Sequence, residues 1–242
     1  MNAFFRTLAL LGILTVTARA QTTVDWDFSG GGGSGAPIPT LPPHVTGGTL
    51  AGFNEFQGPP ANNPGFNSSN SSSGYPGASG NHNASIGIVT GPLDPATSTY
   101  FEFTLAPTVG YQLTAVSFDL GTFSTALGPQ TLTLLASTDN FATFSSLWTA
   151  PVANDSRWHL GSSTGTWLGN FTAAPNTPIT FRLYGSDGIG GDNNSNWRID
   201  DVSLGLIATA SPVPEPSTYL ALLVGISLLG ARKLRWGKSR IV

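Results

Sequence analysis

The chain has 242 residues, with 30 Gly, 18 Pro and no Cys. Without Cys there are no disulfide staples, thiolate metal sites, Cys nucleophiles or thiol redox chemistry; the Gly and Pro load, with only 10% charged residues, disfavours a helical bundle or coiled coil. The formal net charge is −3, but residues 21–211 hold 3 Arg, no Lys and 12 acids, a net of −9, which argues against nucleic-acid binding because phosphate contacts need clustered basic side chains.

The remaining basic residues sit at the ends, two in the first 20 positions and five in the last 11. Arg6 is followed by an apolar run, Leu8 to Val16, and then by the small residues Ala18 and Ala20. That three-part order predicts a signal peptide over 1–20, cleaved so that the mature chain starts at Gln21. A β-sandwich domain is expected over 21–208. Within it, 29–83 reads as an irregular Gly/Pro/Asn/Ser-rich insertion, because such segments bury too little apolar surface to offset ordering entropy. Phe53, Phe56, Phe66 and Tyr75 interrupt it and are read as anchors that pin loops onto the domain.

From Ser85 onward, apolar residues alternate with polar ones. Phe101, Phe103 and Leu105 share one parity, as do Leu132 and Leu134, and Ile179, Phe181 and Leu183. Period two predicts strands with one buried face. The parity shifts between Leu113 and Val116, and again between Ile199 and Val202, which predicts β-bulges. With Thr23–Phe28 and shorter pieces near Ile86–Val89, Phe144–Trp148 and Trp158–Leu160, eight or nine strands are expected. No window before the C-terminus has a helical period. The fold class expected is all-β, an antiparallel β-sandwich of jelly-roll type.

The C-terminal part divides into a Pro-rich linker over 209–218, an apolar helix over 219–236 and a basic tail over 237–242. Tyr219–Ala231 is apolar on every face but spans only about 20 Å as a helix. Continuing to Trp236, with Arg232, Lys233 and Arg235 snorkelling as a cytoplasmic flank, brings it near the roughly 30 Å of a hydrocarbon core. The order Val213-Pro214-Glu215-Pro216-Ser217, apolar helix and terminal basic cluster resembles the PEP-CTERM sorting signal of Gram-negative bacteria. That resemblance implies export through the Sec translocon and transient anchoring in the inner membrane. It also implies cleavage by an exosortase, an integral-membrane Cys transpeptidase, and transfer to the cell surface, outer envelope or an extracellular polysaccharide matrix. The two prolines keep the motif extended, the form a protease grips.

The pieces Tyr100-Phe-Glu-Phe-Thr-Leu, Ile179-Thr-Phe-Arg-Leu-Tyr-Gly and Asn196-Trp-Arg-Ile-Asp-Asp-Val-Ser-Leu are similar to the exported β-sandwich found ahead of many PEP-CTERM tails. That sandwich is related in style to galactose-binding-like carbohydrate modules. The resemblance implies the fold, and a non-enzymatic structural or adhesive role. A carbohydrate-binding module acting on envelope or extracellular polysaccharide is the alternative.

Two constellations carry possible chemistry. Asp187, Asp192 and Asn193, followed by Asp200 and Asp201, supply the oxygens a structural Ca²⁺ would need, although the spacing is not that of an EF-hand and equally suits an Asx-rich loop. Arg182 lies on the solvent-side parity of its strand, and Arg198 shares a strand face with Asp200. Both suit cross-strand ion pairing. The sharper reading places an Arg and carboxylates against sugar hydroxyls, with Trp148, Trp158, Trp167 or Trp197 stacking on a pyranose ring. No catalytic residue is assigned: His44 and His82 lie in Gly/Pro/Asn-rich stretches, His159 near Asp155 and Ser156 makes no triad, and no Gly-x-Ser-x-Gly elbow is present.

Overall fold

The computed structural model describes residues 21–26, 28, 39–48, 50–54, 65–68, 74–76, 78, 82–162, 168, 171–189 and 196–211. The signal peptide, the PEP motif (Val213–Ser217), the C-terminal helix and its basic flank lie outside the described residues, as do Asp192, Asn193, Phe56 and Trp167.

The described residues form strands and connecting loops. In chain order the strands are β1 (Gln21–Trp26), β2 (Val45–Gly47), β3 (Ala51–Phe53), β4 (Gly65–Ser68), β5 (Asn83–Gly87), β6 (Tyr100–Pro107), β7 (Tyr111–Ser124), β8 (Thr131–Ser137), β9 (Ser145–Pro151), β10 (Trp158–Ser162), β11 (Ile179–Ser186) and β12 (Asn196–Ala210). All pair antiparallel. One sheet runs β10-β7-β12-β5-β4, with β1 also on β12; the other runs β2-β6-β11-β8-β9, with β3 also on β6. We call them the first and second sheet.

The alternation expected from the sequence forms the inner faces. Phe101, Phe103, Leu105, Ile179, Phe181 and Leu183 of the second sheet, and Trp26, Leu113, Phe118, Leu120, Trp197, Ile199 and Leu204 of the first, belong to one buried cluster. Aromatic rings lock the layers together: Trp26 on Phe103 at 4.3 Å, Phe101 on Trp197 at 5.0 Å and Phe118 on Trp148 at 5.6 Å between centroids. Each such pair adds about 0.5–1.5 kcal/mol beyond area burial. The two fully buried indoles also satisfy their N–H groups, Trp26 on the Gly48 carbonyl and Trp197 on the Thr122 hydroxyl.

Both predicted bulges are present where β12 runs along β7. The register jumps between Asp200 and Ser203, and between Gly205 and Leu206, where the partners are Ser117 and Ala115 and Val116 is the extra residue. A bulge inserts one residue, so the inward parity of Trp197 and Ile199 passes to Val202, Leu204 and Leu206. Among the described residues twelve strands stand where eight or nine were expected. Three of the additions, β2, β3 and β4, fall within the 29–83 stretch read as irregular. Each is only three or four residues long and pairs on a regular strand, β6 or β5. Edge pairing of that kind needs backbone hydrogen bonds more than side-chain alternation, so it leaves little sequence signal.

Candidate functional site on the outer sheet faces

Because strands are in register, the outer residues line up in rows across each sheet. On the first sheet one row reads Trp158, Phe123, Arg198, Ser85 and Gly65, one residue from each of β10, β7, β12, β5 and β4. Trp158 and Phe123 are half-buried and their rings lie 5.7 Å apart. The Arg198 guanidinium stands 5.2 Å from the centre of the Phe123 ring, and burial lowers its pKa. Ser85 is tied to Asn196, whose side-chain oxygen accepts from the Ser85 hydroxyl at 2.9 Å.

The neighbouring row reads Leu160, Gly121 and Asp200. Gly121 leaves a gap in that row, and Tyr75 fills it: a Cβ at Gly121 would overlap the Tyr75 ring, reaching Cε1 at 2.7 Å. The Tyr75 hydroxyl contacts Asp200 Oδ2 at 3.0 Å and Asp201 Oδ2 at 2.7 Å. In a regular strand two consecutive residues point to opposite faces. Here Asp201 adopts a left-handed φ of 44° in the β12 bulge, so both carboxylates reach one phenol. Burial first, then the Asp201 hydrogen bond and the two carboxylate charges, push the Tyr75 phenol far above its ordinary pKa, and it stays a donor at any physiological pH. Tyr75 also lies 5.9 Å from Trp158. The result is an outer face on which Trp158, Phe123, Arg198 and Asp201 are part-exposed, with the Asp200 carboxylate and the Tyr75 phenol buried beneath it.

The outer face of the second sheet is organised differently. Its rows read Phe53, Tyr100, Tyr184, Thr133, Thr149 and then Ala51, Glu102, Arg182, Leu135, Ser146. Arg182 Nε donates to Glu102 Oε2 at 2.7 Å, the cross-strand pair the parity suggested. The guanidinium is also stacked between Phe141 and Tyr100, 3.9 Å and 4.5 Å from the ring centres. Burial opposes its charge, but hydrogen bonds to Glu102 and Tyr184 more than offset that and raise its pKa. Tyr100, Leu135 and Tyr184 form a small separate core with Leu93 and Phe141 over them. The Tyr184 hydroxyl reaches across to the Pro95 carbonyl at 3.0 Å.

The sequence-predicted residues therefore separate. Trp197 is fully buried between the sheets and offers no ring face to a ligand, and Trp148 is likewise core; Trp158 is half-buried in the row of Arg198, with Phe123 between them. Arg182 and Arg198 lie on opposite sheets. Asp187 sits at the end of β11, φ 60°, with its N–H on the Gly91 carbonyl at 2.7 Å, whereas Asp200 and Asp201 lie on the first sheet. Among the described residues no three His, Cys, Asp or Glu side chains converge as metal ligands would. Tyr75 is a buried loop anchor, as read. Phe53 stacks on Tyr100 while 41% exposed. His44 stacks on Tyr111 at 3.8 Å. His159 bonds Asp155 at 2.9 Å on the surface, a pair that ties the β9–β10 loop to β10. Phe123 and the Tyr75–Asp201 contact escaped the sequence reading; the bulge and Gly121 were their only traces.

No protein-family model matches the chain and no curated protein sequence matches it. Among solved structures it is similar to a family 29 carbohydrate-binding module at 13% identity and TM-score 0.35, covering 80% of this chain and 95% of that one. It is also similar to the K3 cleaved adhesin domain of Lys-gingipain from Porphyromonas gingivalis at 11% identity and TM-score 0.36, covering 76% and 98%. A family 61 carbohydrate-binding module solved with β-1,4-galactotriose matches at 13% identity and TM-score 0.27, covering 69% and 87%. At these identities and scores nothing about a ligand passes from those proteins to this chain.

Proposed function

We propose that the protein is an exported, non-catalytic β-sandwich of the galactose-binding-like, jelly-roll kind that binds polysaccharide at the cell surface or in an extracellular matrix. The observation that carries this reading is the Trp158–Phe123–Arg198 row with Asp200, Asp201 and Tyr75 beside it. Sugar sites combine an apolar ring plane, which covers the C–H face of a pyranose, with a few oriented polar groups that bond its hydroxyls. Here Trp158 and Phe123 supply the ring planes, Arg198 the donors and Asp201 an acceptor.

The course of β12 bears on how such a domain would be delivered. β12 begins beside the Arg198 row and ends at Ala210, where the Ser211 N–H bonds the Gly110 carbonyl at 2.7 Å. Twelve residues of strand separate Arg198 from Ala210, about 40 Å at 3.3 Å per residue. A tail that anchors or sorts the protein through Pro214-Glu215-Pro216 would thus leave from the end of β12 far from the Arg198 row.

Binding to an array of neutral oligosaccharides tests the reading. Trp158→Ala should weaken binding at least tenfold, about 1.4 kcal/mol, with the melting temperature held within a few degrees because Trp158 is on an edge strand. Binding equal to wild type after that substitution refutes the assignment.

A further inference from the structure

The outer face of the second sheet carries an aromatic and polar arrangement that the proposed site does not use. Phe53 lies on Tyr100 with ring centroids 5.3 Å apart and planes within 23°. One face of Phe53 is therefore covered, and its 41% exposure comes from the rest of the ring. The ring is braced from the side, since Tyr100 in turn packs on Tyr184 at 5.0 Å in the same row. In the next row the small Ala51 stands where Phe53 stood, so the surface steps down beside the ring. The Glu102–Arg182 pair forms the floor there, with side chains 24% and 20% exposed.

The far wall of that step is Phe141. It sits over Arg182 because Asn140 and Phe141 both adopt left-handed backbones, φ 57° and 62°. That conformation is rare for an aromatic residue. Asp139 stabilises it: its carboxylate accepts from the Thr143 N–H at 2.9 Å and from the hydroxyls of Thr143 and Ser137. Beyond the pair, Thr104 and Thr180 hydroxyls are bonded to each other at 2.9 Å. An exposed aromatic ring, a fixed Arg and carboxylate at its edge and a pair of hydroxyls suit a pyranose unit and its neighbour along a chain.

We propose that this notch is a second polysaccharide site and that the protein bridges two glycan chains. The two sites lie on the outer faces of two sheets packed back to back, so one domain can hold a chain on each side. The ligand class follows from charge. With 12 acids against 3 Arg over residues 21–211, an anionic glycan would be repelled, and the floor pair of the notch is itself neutral overall. The occupant is a neutral polysaccharide. The inference rests on the glycan reading of the first sheet, and its experiment separates the two.

Stoichiometry per chain is measured by calorimetry and native mass spectrometry on the purified full chain, with cellohexaose, mannohexaose and β-1,4-galactohexaose as probes. Light scattering with soluble glucomannan then reads bridging. The expected result is two hexaose equivalents on the wild type and one each on Phe53→Ala and Trp158→Ala. The double variant should bind none, and bridging should fall at least tenfold in either single variant. Glu102→Gln, which keeps the shape of the notch, should weaken the Phe53-dependent site tenfold and leave the other unchanged. One equivalent on the wild type, lost entirely in Trp158→Ala and untouched in Phe53→Ala, overturns the second site and leaves the first standing. No binding of any hexaose by the wild type overturns both.

Discussion

The Tyr75 hydroxyl is one point at which the Gly/Ser/Asn-rich stretch before β5 is joined to the first sheet, and Tyr75→Phe isolates it. The ring stays: it fills the gap over Gly121 and keeps its place beside Trp158. What is lost is the donor to two adjacent carboxylates, Asp200 at 3.0 Å and Asp201 at 2.7 Å. One hydroxyl proton serves one carboxylate at a time, so a single charge-assisted hydrogen bond is removed, about 1.5–3 kcal/mol. For a domain of this size that lowers the melting temperature by roughly 4–10 °C, read by circular dichroism at neutral pH. Gly121→Ala is the companion variant, because its methyl group displaces the same ring and with it the same hydrogen bond. The two substitutions share one interaction, so the double variant should be less destabilised than the sum of the singles. A Tyr75→Phe protein that melts within 1 °C of wild type, or strict additivity with Gly121→Ala, refutes the claim that this hydroxyl joins that stretch to the sheet.

Asp139 gives a pH dependence. The Thr143 hydroxyl first, then the Thr143 N–H and the Ser137 hydroxyl, hold its carboxyl below the usual value. A carboxyl depressed in the folded state contributes stability that is fully present above its unfolded pKa of about 3.9 and is lost as pH falls through the folded value. Asp139→Asn should therefore melt below wild type at pH 7, with the gap closing below about pH 4; a gap constant from pH 7 to pH 3 contradicts this. For sorting, replacing Pro214-Glu215-Pro216 by alanines should leave an uncleaved, membrane-retained precursor on a gel of fractionated cells, and unchanged release and size count against exosortase processing.

The inner faces were legible from the sequence because burial and period two act on every strand alike: Phe101, Phe103, Phe181 and Leu183 face inward as their parity requires, and the parity jump at Val202 marks a bulge. The same rule shows why Trp197 and Arg198 do not belong to one site. Consecutive residues of a strand point to opposite faces, so an outward Arg198 requires an inward Trp197. The outer rows were not legible, because Trp158 meets Arg198 only through the pairing of β10 with β7 and of β7 with β12, and register between strands 35 and 75 residues apart leaves no local trace. Tyr75 was harder still, since nothing in a polar stretch names its partner. Composition nevertheless bears on the outcome. Residues 21–211 contain only three Arg and no Lys, and two of those Arg, one on each sheet, are placed against aromatic rings on the outer faces. Ordinary surface solvation would favour Lys and a scatter of positions. A guanidinium set over an aromatic ring is instead a restrained donor, and two of them on opposite faces are what a protein that grips one neutral chain on each side would need.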